Sequence, residues 1–239
     1  MLYWVVKAVL TPILGVCFRV KVEGREHIPR RGPVILASNH RSFLDSIFLP
    51  LVLRRRVTFV AKAEYFDDPK TAWFFRGVGQ IPIRREGGSA SERALASATD
   101  VLRSGGVFAI YPEGTRTRDG YLHRGHTGVA RLSLRTGTRI VPVGLIGTDE
   151  VQPVDQRMPR LFRRVTVRFG EPLDPARYGE VHEHLALREL TDELMYEISQ
   201  LSGYEYVDTY ATKKAEDIPT SVARVASFDE IRTPESAAS

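Results

Sequence analysis

Short runs of apolar and β-branched residues alternate with segments of helical periodicity along most of the chain. We predict strands at residues 34–38, 57–62, 80–85, 107–111, 139–146 and 164–169. Most of these runs are apolar on both faces, as is typical of strands buried in a parallel sheet. Apolar residues at helical spacing predict helices at 42–53, 89–103, 125–135 and 182–201. The pattern predicts an α/β fold with a mostly parallel central sheet flanked by helices.

Residues 1–18 form an apolar run that is interrupted by Lys7 and Pro12. About 20 apolar residues are needed to cross the hydrocarbon of a bilayer, so we predict a membrane-associating helix that lies at the interface. A buried core helix and a cleaved signal peptide are the alternatives. Lys7 inside the run, with no small-residue cleavage site after it, argues against the signal peptide.

Composition suits one globular domain and points to an anionic partner. The 239 residues are 43% hydrophobic, and 34 Lys and Arg against 29 Asp and Glu give a net charge of +5. We predict one globular domain at 19–203 and an extended or partly disordered acidic tail at 204–239. The tail carries four basic and seven acidic residues, which leaves +8 on the rest. Cys17 is the single cysteine, so no disulfide within the chain and no multi-cysteine zinc site can form.

Polar residues follow the predicted strand 34–38 in the order Ser-Asn-His-Arg-Ser-Phe-Leu-Asp. Ligand sites of open α/β sheets lie at the carboxyl ends of strands. Ser42 and Asp45 form a pattern like a capping box, and a helix that begins at Ser42 leaves His40 free to fold back onto Asp45. The simpler alternative is that Asp45 only caps the helix and His40 is a surface loop residue.

Charged residues follow three other predicted strands. Glu113 and Arg116 come after the strand 107–111, Arg84 and Arg85 end the strand 80–85, and Lys62 ends the strand 57–62. Each could be a solvated strand end or a turn salt bridge. Several cations beside a His–Asp pair instead indicate a pocket for an anion such as phosphate.

Four sequence blocks occur in a fixed order. They are Asn-His-x-Ser-x-x-Asp from Asn39, Gly-x-Ile-x-Ile-x-Arg from Gly79, Pro-Glu-Gly-Thr-Arg from Pro112 and Ile-Val-Pro-Val from Ile140. Together they resemble the motif blocks of the glycerolipid acyltransferase family, which includes the PlsC-like 1-acylglycerol-3-phosphate acyltransferases. The resemblance covers about residues 20–175.

The resemblance implies roles for individual residues. It makes His40 the catalytic base and Asp45 the carboxylate that orients it. The residues that it implies in binding the acceptor phosphate are Lys62, Arg85, Arg116, Glu113 and Gly114. Those with an implied supporting role are Asn39, Ser42, Arg84, Thr115 and Pro142, of which Pro142 either lies near the acyl donor or serves packing.

The chain departs from the common family pattern at several positions of these blocks. Arg41 and Phe43 stand where many members have Gln and Trp, Arg84 stands where many have Asp, and His123-Arg124 replace Lys-Lys. Arg41 and Arg84 are therefore expected to add charge near the acceptor.

The implied activity is transfer of a fatty acyl chain from a thioester to 1-acylglycerol 3-phosphate, which gives phosphatidic acid. The donor is acyl-coenzyme A or an acyl carrier protein, with acyl-coenzyme A preferred, and no cofactor or metal is expected. The alternative acceptors are glycerol 3-phosphate and other lysophospholipids. A thioesterase and a nonenzymatic lipid-binding module are the rival functions.

We expect an anionic membrane surface as a partner, no nucleic acid, and a peripheral or monotopic position at the cytoplasmic face of the membrane. The basic cluster 54–56 is either a solvated loop or a contact with anionic headgroups, and we favour the headgroups. The same alternatives apply to Arg157, Arg160, Arg163 and Arg164. Backbone amides at the start of the Ser42 helix are predicted to bind the oxyanion.

Overall fold

A central sheet separates two layers of helices in the computed structural model, which describes residues 1–83, 89–156, 158–178 and 183–212. The strands are β1 (Arg19–Glu23), β2 (Val34–Ser38), β3 (Val57–Lys62), β4 (Ile81–Ile83), β5 (Val107–Ile110), β6 (Leu122–His123), β7 (Ile140–Ile146), β8 (Arg164–Phe169) and β9 (Tyr206–Val207). The helices are α1 (Leu2–Cys17), α2 (Asp45–Val52), α3 (Glu64–Asp67), α4 (Pro69–Gly77), α5 (Ser89–Arg103), α6 (Gly128–Thr136), α7 (Thr148–Val151) and α8 (Glu183–Ser202).

The seven strands of the central sheet lie in the order β1-β8-β7-β2-β5-β3-β4. The five strands from β7 to β4 are parallel, which confirms the mostly parallel sheet. β8 is antiparallel to β7, and β1 is parallel to β8. The amino ends of β1 and β8 therefore lie at the same edge of the sheet as the carboxyl ends of the other five strands.

The strands buried in the middle of the sheet explain the apolar runs of the sequence. In β2, Val34 and Leu36 pack into one apolar cluster, whereas Ile35 and Ala37 pack into a second cluster on the opposite face. The first cluster contains residues of α2 and the second contains residues of α5, α6 and α8. Because each face of β2 is covered, every position of the strand is apolar or small.

Several predicted element bounds were wrong. The helix predicted from residue 42 begins at Asp45, and that predicted from residue 125 begins at Gly128. β1, α3 and α4 were not predicted at all. β1 was missed because this edge strand alternates charged and apolar residues and is only partly buried. The end of the predicted strand 80–85, His182, Arg157 and residues 213–239 lie outside the described residues.

α1 packs one face against the rest of the domain. Tyr3 is buried and its hydroxyl accepts a hydrogen bond from the Val57 amide over 3.1 Å. The Lys7 ammonium donates to the carbonyls of Pro50 and Leu53 at the end of α2, where a helix dipole favours a cation. No helix in the described residues has the length and hydropathy to span a bilayer.

Arg55 has a structural role that the sequence did not suggest. Its guanidinium donates to the carbonyls of Pro29, Gly32 and Gly105 over 2.9, 2.5 and 2.8 Å, and so joins three loops. Burial lowers the pKa of this guanidinium. The prediction that residues 54–56 form one solvated or headgroup-binding cluster is therefore wrong for Arg55, which is used inside the fold.

Candidate active site

His40 and Asp45 form a hydrogen-bonded pair at the carboxyl end of β2. The His40 Nδ1–H donates to Asp45 Oδ2 over 2.9 Å. The Asp45 side chain is completely buried, and the His40 side chain is 16% exposed. In the described part of the chain Nε2 of His40 has no hydrogen-bond partner, so the basic nitrogen is available to a ligand.

The same Asp45 oxygen also organises the turn between β2 and α2. Asp45 Oδ2 accepts the backbone amides of Arg41 and Ser42, each over 2.8 Å. The two alternatives considered for Asp45, orienting His40 and capping the turn, are therefore both realised by one atom. Because two amides already fix this oxygen as an acceptor, the His40 nitrogen facing it carries the proton.

Glu113 joins the loop after β5 to the backbone around His40. The carboxylate is 2% exposed, with Oε2 accepting the His40 amide over 3.2 Å and Oε1 accepting the His123 amide over 2.9 Å. Burial raises the pKa of Glu113 to about 7, although the two amide bonds oppose that shift. Glu113 therefore joins the backbone at His40 to the backbone at His123. The resemblance implied that Glu113 binds the acceptor phosphate, but the buried carboxylate is not positioned to touch it.

The loop after β5 fixes His40 from two further directions. The Thr117 amide donates to the His40 carbonyl over 2.9 Å. The His40 ring stacks on Tyr111 with 3.7 Å between ring centroids and 7° between planes. The Tyr111 hydroxyl pairs with Ser46 Oγ over 2.8 Å, and burial raises the pKa of Tyr111 well above its usual value. His40 is thus restrained at its backbone, its ring face and one ring nitrogen.

Asn39 attaches this end of β2 to the neighbouring strand. Its amide donates to the Leu145 carbonyl and accepts the Leu145 amide, over 2.8 Å in each direction. Asn39 is buried, so both bonds are shielded from water. The side chain replaces a strand partner where β2 leaves the sheet, so Asn39 fixes the backbone that leads into His40.

Arg41 contacts protein groups on both of its sides. Its guanidinium pairs with Asp149 over 2.9 and 2.8 Å. It also lies 4.3 Å from the ring centroid of Tyr204, whose hydroxyl bonds Asp149 over 3.3 Å. Burial raises the pKa of Tyr204 to about 12. The expectation that Arg41 adds free charge near the acceptor was wrong, because Asp149 neutralises it.

The other predicted phosphate-binding residues lie at the same edge of the sheet. Lys62 ends β3 and is exposed, whereas Thr115 and Arg116 are partly exposed in the loop after β5. Gly114 adopts a left-handed φ of 71°, and a Cβ there would lie 3.2 Å from the His126 ring. Only glycine fits both conditions. Arg84 and Arg85 lie outside the described residues.

Two predicted supporting residues have packing roles. Pro142 lies near the start of β7 and not at its carboxyl end, and its carbonyl accepts the Gly170 amide over 2.9 Å. Since proline has no amide to return that bond, the ladder with β8 ends there. Ser42 Oγ donates to the Gln152 carbonyl and accepts the Leu44 amide, so it closes the turn.

The predicted oxyanion site at the start of the Ser42 helix is wrong for most of its amides. The amides of Arg41 and Ser42 bond Asp45, that of Leu44 bonds Ser42 Oγ, and that of Asp45 bonds the Ser42 carbonyl. These donors are satisfied within the turn, which begins before the helix does.

Sequence reasoning missed Tyr111, Asp149 and Tyr204. The first two follow the strands β5 and β7, so the rule that placed His40 at a strand end could have marked them. Tyr204 lies in the predicted tail, where no sequence pattern indicated a contact with the site. Residues 204–212 are described, and β9 within them pairs with β6.

The chain is similar to known acyltransferases. A family model described as Acyltransferase matches residues 19–146. The chain is 31% identical over 137 residues to the 1-acyl-sn-glycerol-3-phosphate acyltransferase LPAT1 of Arabidopsis thaliana chloroplasts, covering 57% of this chain and 38% of that protein. It is 30% identical over 131 residues to the 1-acyl-sn-glycerol-3-phosphate acyltransferase of Borreliella burgdorferi, covering 55% and 52%. The chain thus spans about half or less of the length of these relatives.

A solved structure shares the fold. The crystal structure of the 1-acyl-sn-glycerophosphate acyltransferase PlsC from Thermotoga maritima matches with a TM-score of 0.64 and 29% identity, covering 82% of this chain and 76% of that one. The family match includes the His40–Asp45 pair, Glu113 and the strand that carries Pro142. The chain belongs to the Acyltransferase family.

Proposed function

We propose that the chain transfers a fatty acyl chain from an acyl thioester to the free hydroxyl of 1-acylglycerol 3-phosphate and forms phosphatidic acid. The observation that carries the proposal is the His40–Asp45 pair, in which His40 Nε2 has no hydrogen-bond partner among the described residues and lies at the same sheet edge as Lys62 and Arg116. The printed names of the relatives and of the solved structure support the same acceptor.

The geometry suits general base catalysis by His40. As the acceptor oxygen attacks the thioester carbonyl carbon, its proton passes to Nε2. The imidazolium is then stabilised by Asp45 at 2.9 Å. When the tetrahedral intermediate collapses, the C–S bond breaks and the sulfur leaves as a thiol that takes the proton from Nε2. An ester and a free thiol result, and His40 returns to its starting state.

Direct attack by the acceptor fits the surroundings of His40 better than an acyl-enzyme. Cys17 lies in α1 and packs against the core, and Ser42 Oγ is used by the turn. No serine, threonine or cysteine of the described residues is hydrogen-bonded to Nε2 of His40. Covalent catalysis requires a nucleophile within reach of its base.

We propose acyl-coenzyme A as the preferred donor, with an acyl carrier protein as the alternative. Lys62 and Arg116 are the described cations proposed to hold the acceptor phosphate, together with Arg85. Glycerol 3-phosphate and other lysophospholipids are the alternative acceptors, since the catalytic pair and the cations would serve any hydroxyl next to a phosphate. No cofactor is required by this chemistry.

The proposal is tested with purified protein, labelled acyl-coenzyme A or acyl carrier protein, and a panel of acceptors. We expect phosphatidic acid from 1-acylglycerol 3-phosphate and a loss of about 10² to 10⁴ in rate for His40→Ala. His184→Ala, which removes an exposed histidine of α8, is the matched control and keeps full activity. Absence of ester with every acceptor would refute the proposal, and fatty acid released at the full rate without acceptor would indicate a thioesterase.

We also propose that the protein works at the cytoplasmic face of a membrane as a peripheral or monotopic protein with α1 as one contact. One stripe of α1 is packed through Tyr3, while Val5, Val9, Ile13 and Val16 form an exposed apolar stripe at helical spacing. Such a helix suits the boundary between headgroups and acyl chains. Replacement of Val9 and Ile13 by Ser is expected to release the protein from vesicles, and unchanged sedimentation with vesicles would contradict this.

A further inference from the structure

The loop that joins α7 to β8 exposes three large apolar side chains. Met158, Leu161 and Phe162 keep 78%, 49% and 67% of their surface exposed. Apolar side chains gathered in this way indicate an interaction surface, because single exposed ones are normal but clusters are not. We refer to residues 158–164, which end at the first residue of β8, as the 158–164 loop.

Phe162 is held in a strained backbone conformation. Its φ of 62° makes it the one non-glycine residue with a left-handed φ among those described. This conformation is unfavourable for a residue with a Cβ. The Phe162 amide donates to the Cys17 carbonyl and the Arg160 amide to the Val151 carbonyl, each over 2.7 Å. Backbone bonds thus hold the ring in solvent at a cost to the fold, which suggests a function for the ring.

The loop extends the exposed stripe of α1. Cys17, which accepts the Phe162 amide, is the last residue of α1. Ile13 and Val16, in the last turns of the helix, are exposed. The apolar surface of α1 therefore continues into the 158–164 loop, although the two segments are far apart in the sequence.

Two arginines that have no counter-charge among the described residues lie beside this apolar surface. Arg19 of β1 and Arg164 of β8 are register partners, and both are exposed. Neither forms an ion pair with a described residue, and both line a groove of about 560 Å³ with Gly15 and Phe18. Like charges opposite each other on paired strands repel, and a phosphate between them would remove that repulsion.

The direction of the strands places this groove at the catalytic edge. Arg19 and Arg164 begin strands that run opposite to β2, so they lie at the same edge as the carboxyl end of β2 that leads to His40. β8 is two strands away from β2, or about 10 Å along the sheet. A bilayer that touched the groove would therefore also face the catalytic edge.

We propose that the 158–164 loop inserts its apolar tip into the bilayer beside α1, and that Arg19 and Arg164 bind the phosphate of an anionic phospholipid headgroup. This inference rests on the membrane association proposed above, to which it adds a second contact and the class of lipid that the contact selects. The two contacts orient the catalytic edge toward the bilayer, so that a lipid acceptor reaches His40 without leaving the membrane.

The apolar part of the proposal is tested with Phe162→Gly. Glycine accepts a left-handed φ, so this variant removes the ring and also relieves the backbone strain. We expect its melting temperature to equal or exceed that of the wild type, while its affinity for vesicles falls about tenfold or more. Leu185→Ser, which removes an exposed leucine of α8 on the opposite face of the sheet, is the matched control and keeps wild-type affinity. Unchanged vesicle affinity in Phe162→Gly, or an equal loss in the control, would overturn the insertion.

The headgroup site is tested with the double variant Arg19→Gln/Arg164→Gln on two kinds of vesicle. We expect a loss of about 30-fold in affinity for vesicles of phosphatidylcholine mixed with phosphatidylglycerol, and no loss for phosphatidylcholine alone. Arg103→Gln/Arg135→Gln removes two exposed arginines of α5 and α6 and serves as the charge-matched control. An equal loss on both vesicles, or an equal loss in the control, would refute a specific headgroup site.

Both experiments measure binding in the absence of substrate. The outcome therefore does not depend on whether the chain transfers acyl groups, and a failed acyl transfer assay would leave the binding result intact. Conversely, wild-type affinity in both variants would overturn this inference while leaving His40 as the proposed base.

Discussion

Replacing Asp45 by Asn separates the charge of the carboxylate from its position. Three donors, the His40 ring and the amides of Arg41 and Ser42, meet at Asp45 Oδ2. In the Asn variant the two amides require the carbonyl oxygen at that place, so the ring should keep its tautomer. The amide nitrogen would replace Oδ1, which has no hydrogen-bond partner in the described part of the chain. The variant should therefore change the charge beside His40 and little else.

The size of the effect follows from Coulomb's law. A carboxylate and an imidazolium about 4 Å apart interact by about 4 kcal/mol at the effective dielectric of a protein site. That interaction exists only when His40 carries the transferred proton, so its loss raises the barrier. We expect kcat/KM of Asp45→Asn to fall by about 10² to 10³.

Asp45→Ala is the comparison that isolates the structural role. It removes the acceptor of two buried backbone amides, so the unfolding free energy should drop by about 2 to 4 kcal/mol. The unfolding free energy of Asp45→Asn should lie within about 1 kcal/mol of that of the wild type. The assays are steady-state acyl transfer and urea unfolding of the same preparations. Wild-type kcat/KM in Asp45→Asn would refute the role of the charge, and stability as low as that of the Ala variant would refute the fixed position of the oxygen.

Three other predictions concern the groups around this pair. Because burial raises the pKa of Glu113 from 4.5 to about 7, the contribution of Glu113 to stability should be complete below pH 4.5 and fall by about 3 kcal/mol as pH rises through 7; the difference in unfolding free energy between the wild type and Glu113→Gln should follow that slope, and a difference that does not change with pH would contradict the assignment. Tyr204→Ala should lower stability by about 1 to 2 kcal/mol through the lost contact with Arg41 and lower kcat severalfold, whereas Tyr204→Phe keeps the ring and should retain most of both. Arg116→Ala should raise KM for the phosphate acceptor by about tenfold or more and leave KM for the thioester unchanged, while equal changes in both would argue against phosphate binding.

The central sheet and the His40–Asp45 pair could be predicted from the sequence because both depend on local patterns. An apolar run buried on two faces predicts a strand, and polar residues directly after it predict a site. The bond between His40 and Glu113 joins residues 73 positions apart, and that between Arg41 and Asp149 joins residues 108 apart. Nothing in a single sequence distinguishes such a buried acceptor from a carboxylate in a surface turn.

The start of α2 illustrates the same division between local and distant causes. Ser42 and Asp45 have the spacing of a capping box, yet the helix begins at Asp45. The Ser42 hydroxyl instead donates a hydrogen bond to the Gln152 carbonyl, 110 residues along the chain. The contact that the spacing predicted, between Asp45 and the Ser42 amide, still forms. A cap pattern thus predicted a hydrogen bond correctly and the helix boundary wrongly.

Two of the departures from the common family pattern, Arg41 and His123, bring their own counter-charges. Arg41 pairs with Asp149, and His123 with Asp119 over 2.8 Å. Although burial opposes it, the bond to Asp119 raises the pKa of His123. Since each of these cations is neutralised within the fold, neither adds free charge at the sheet edge. Among the described residues, Lys62 and Arg116 have no such partner. These two departures therefore give no reason to expect an acceptor with more negative charge than one phosphate, whereas Arg84 lies outside the described residues.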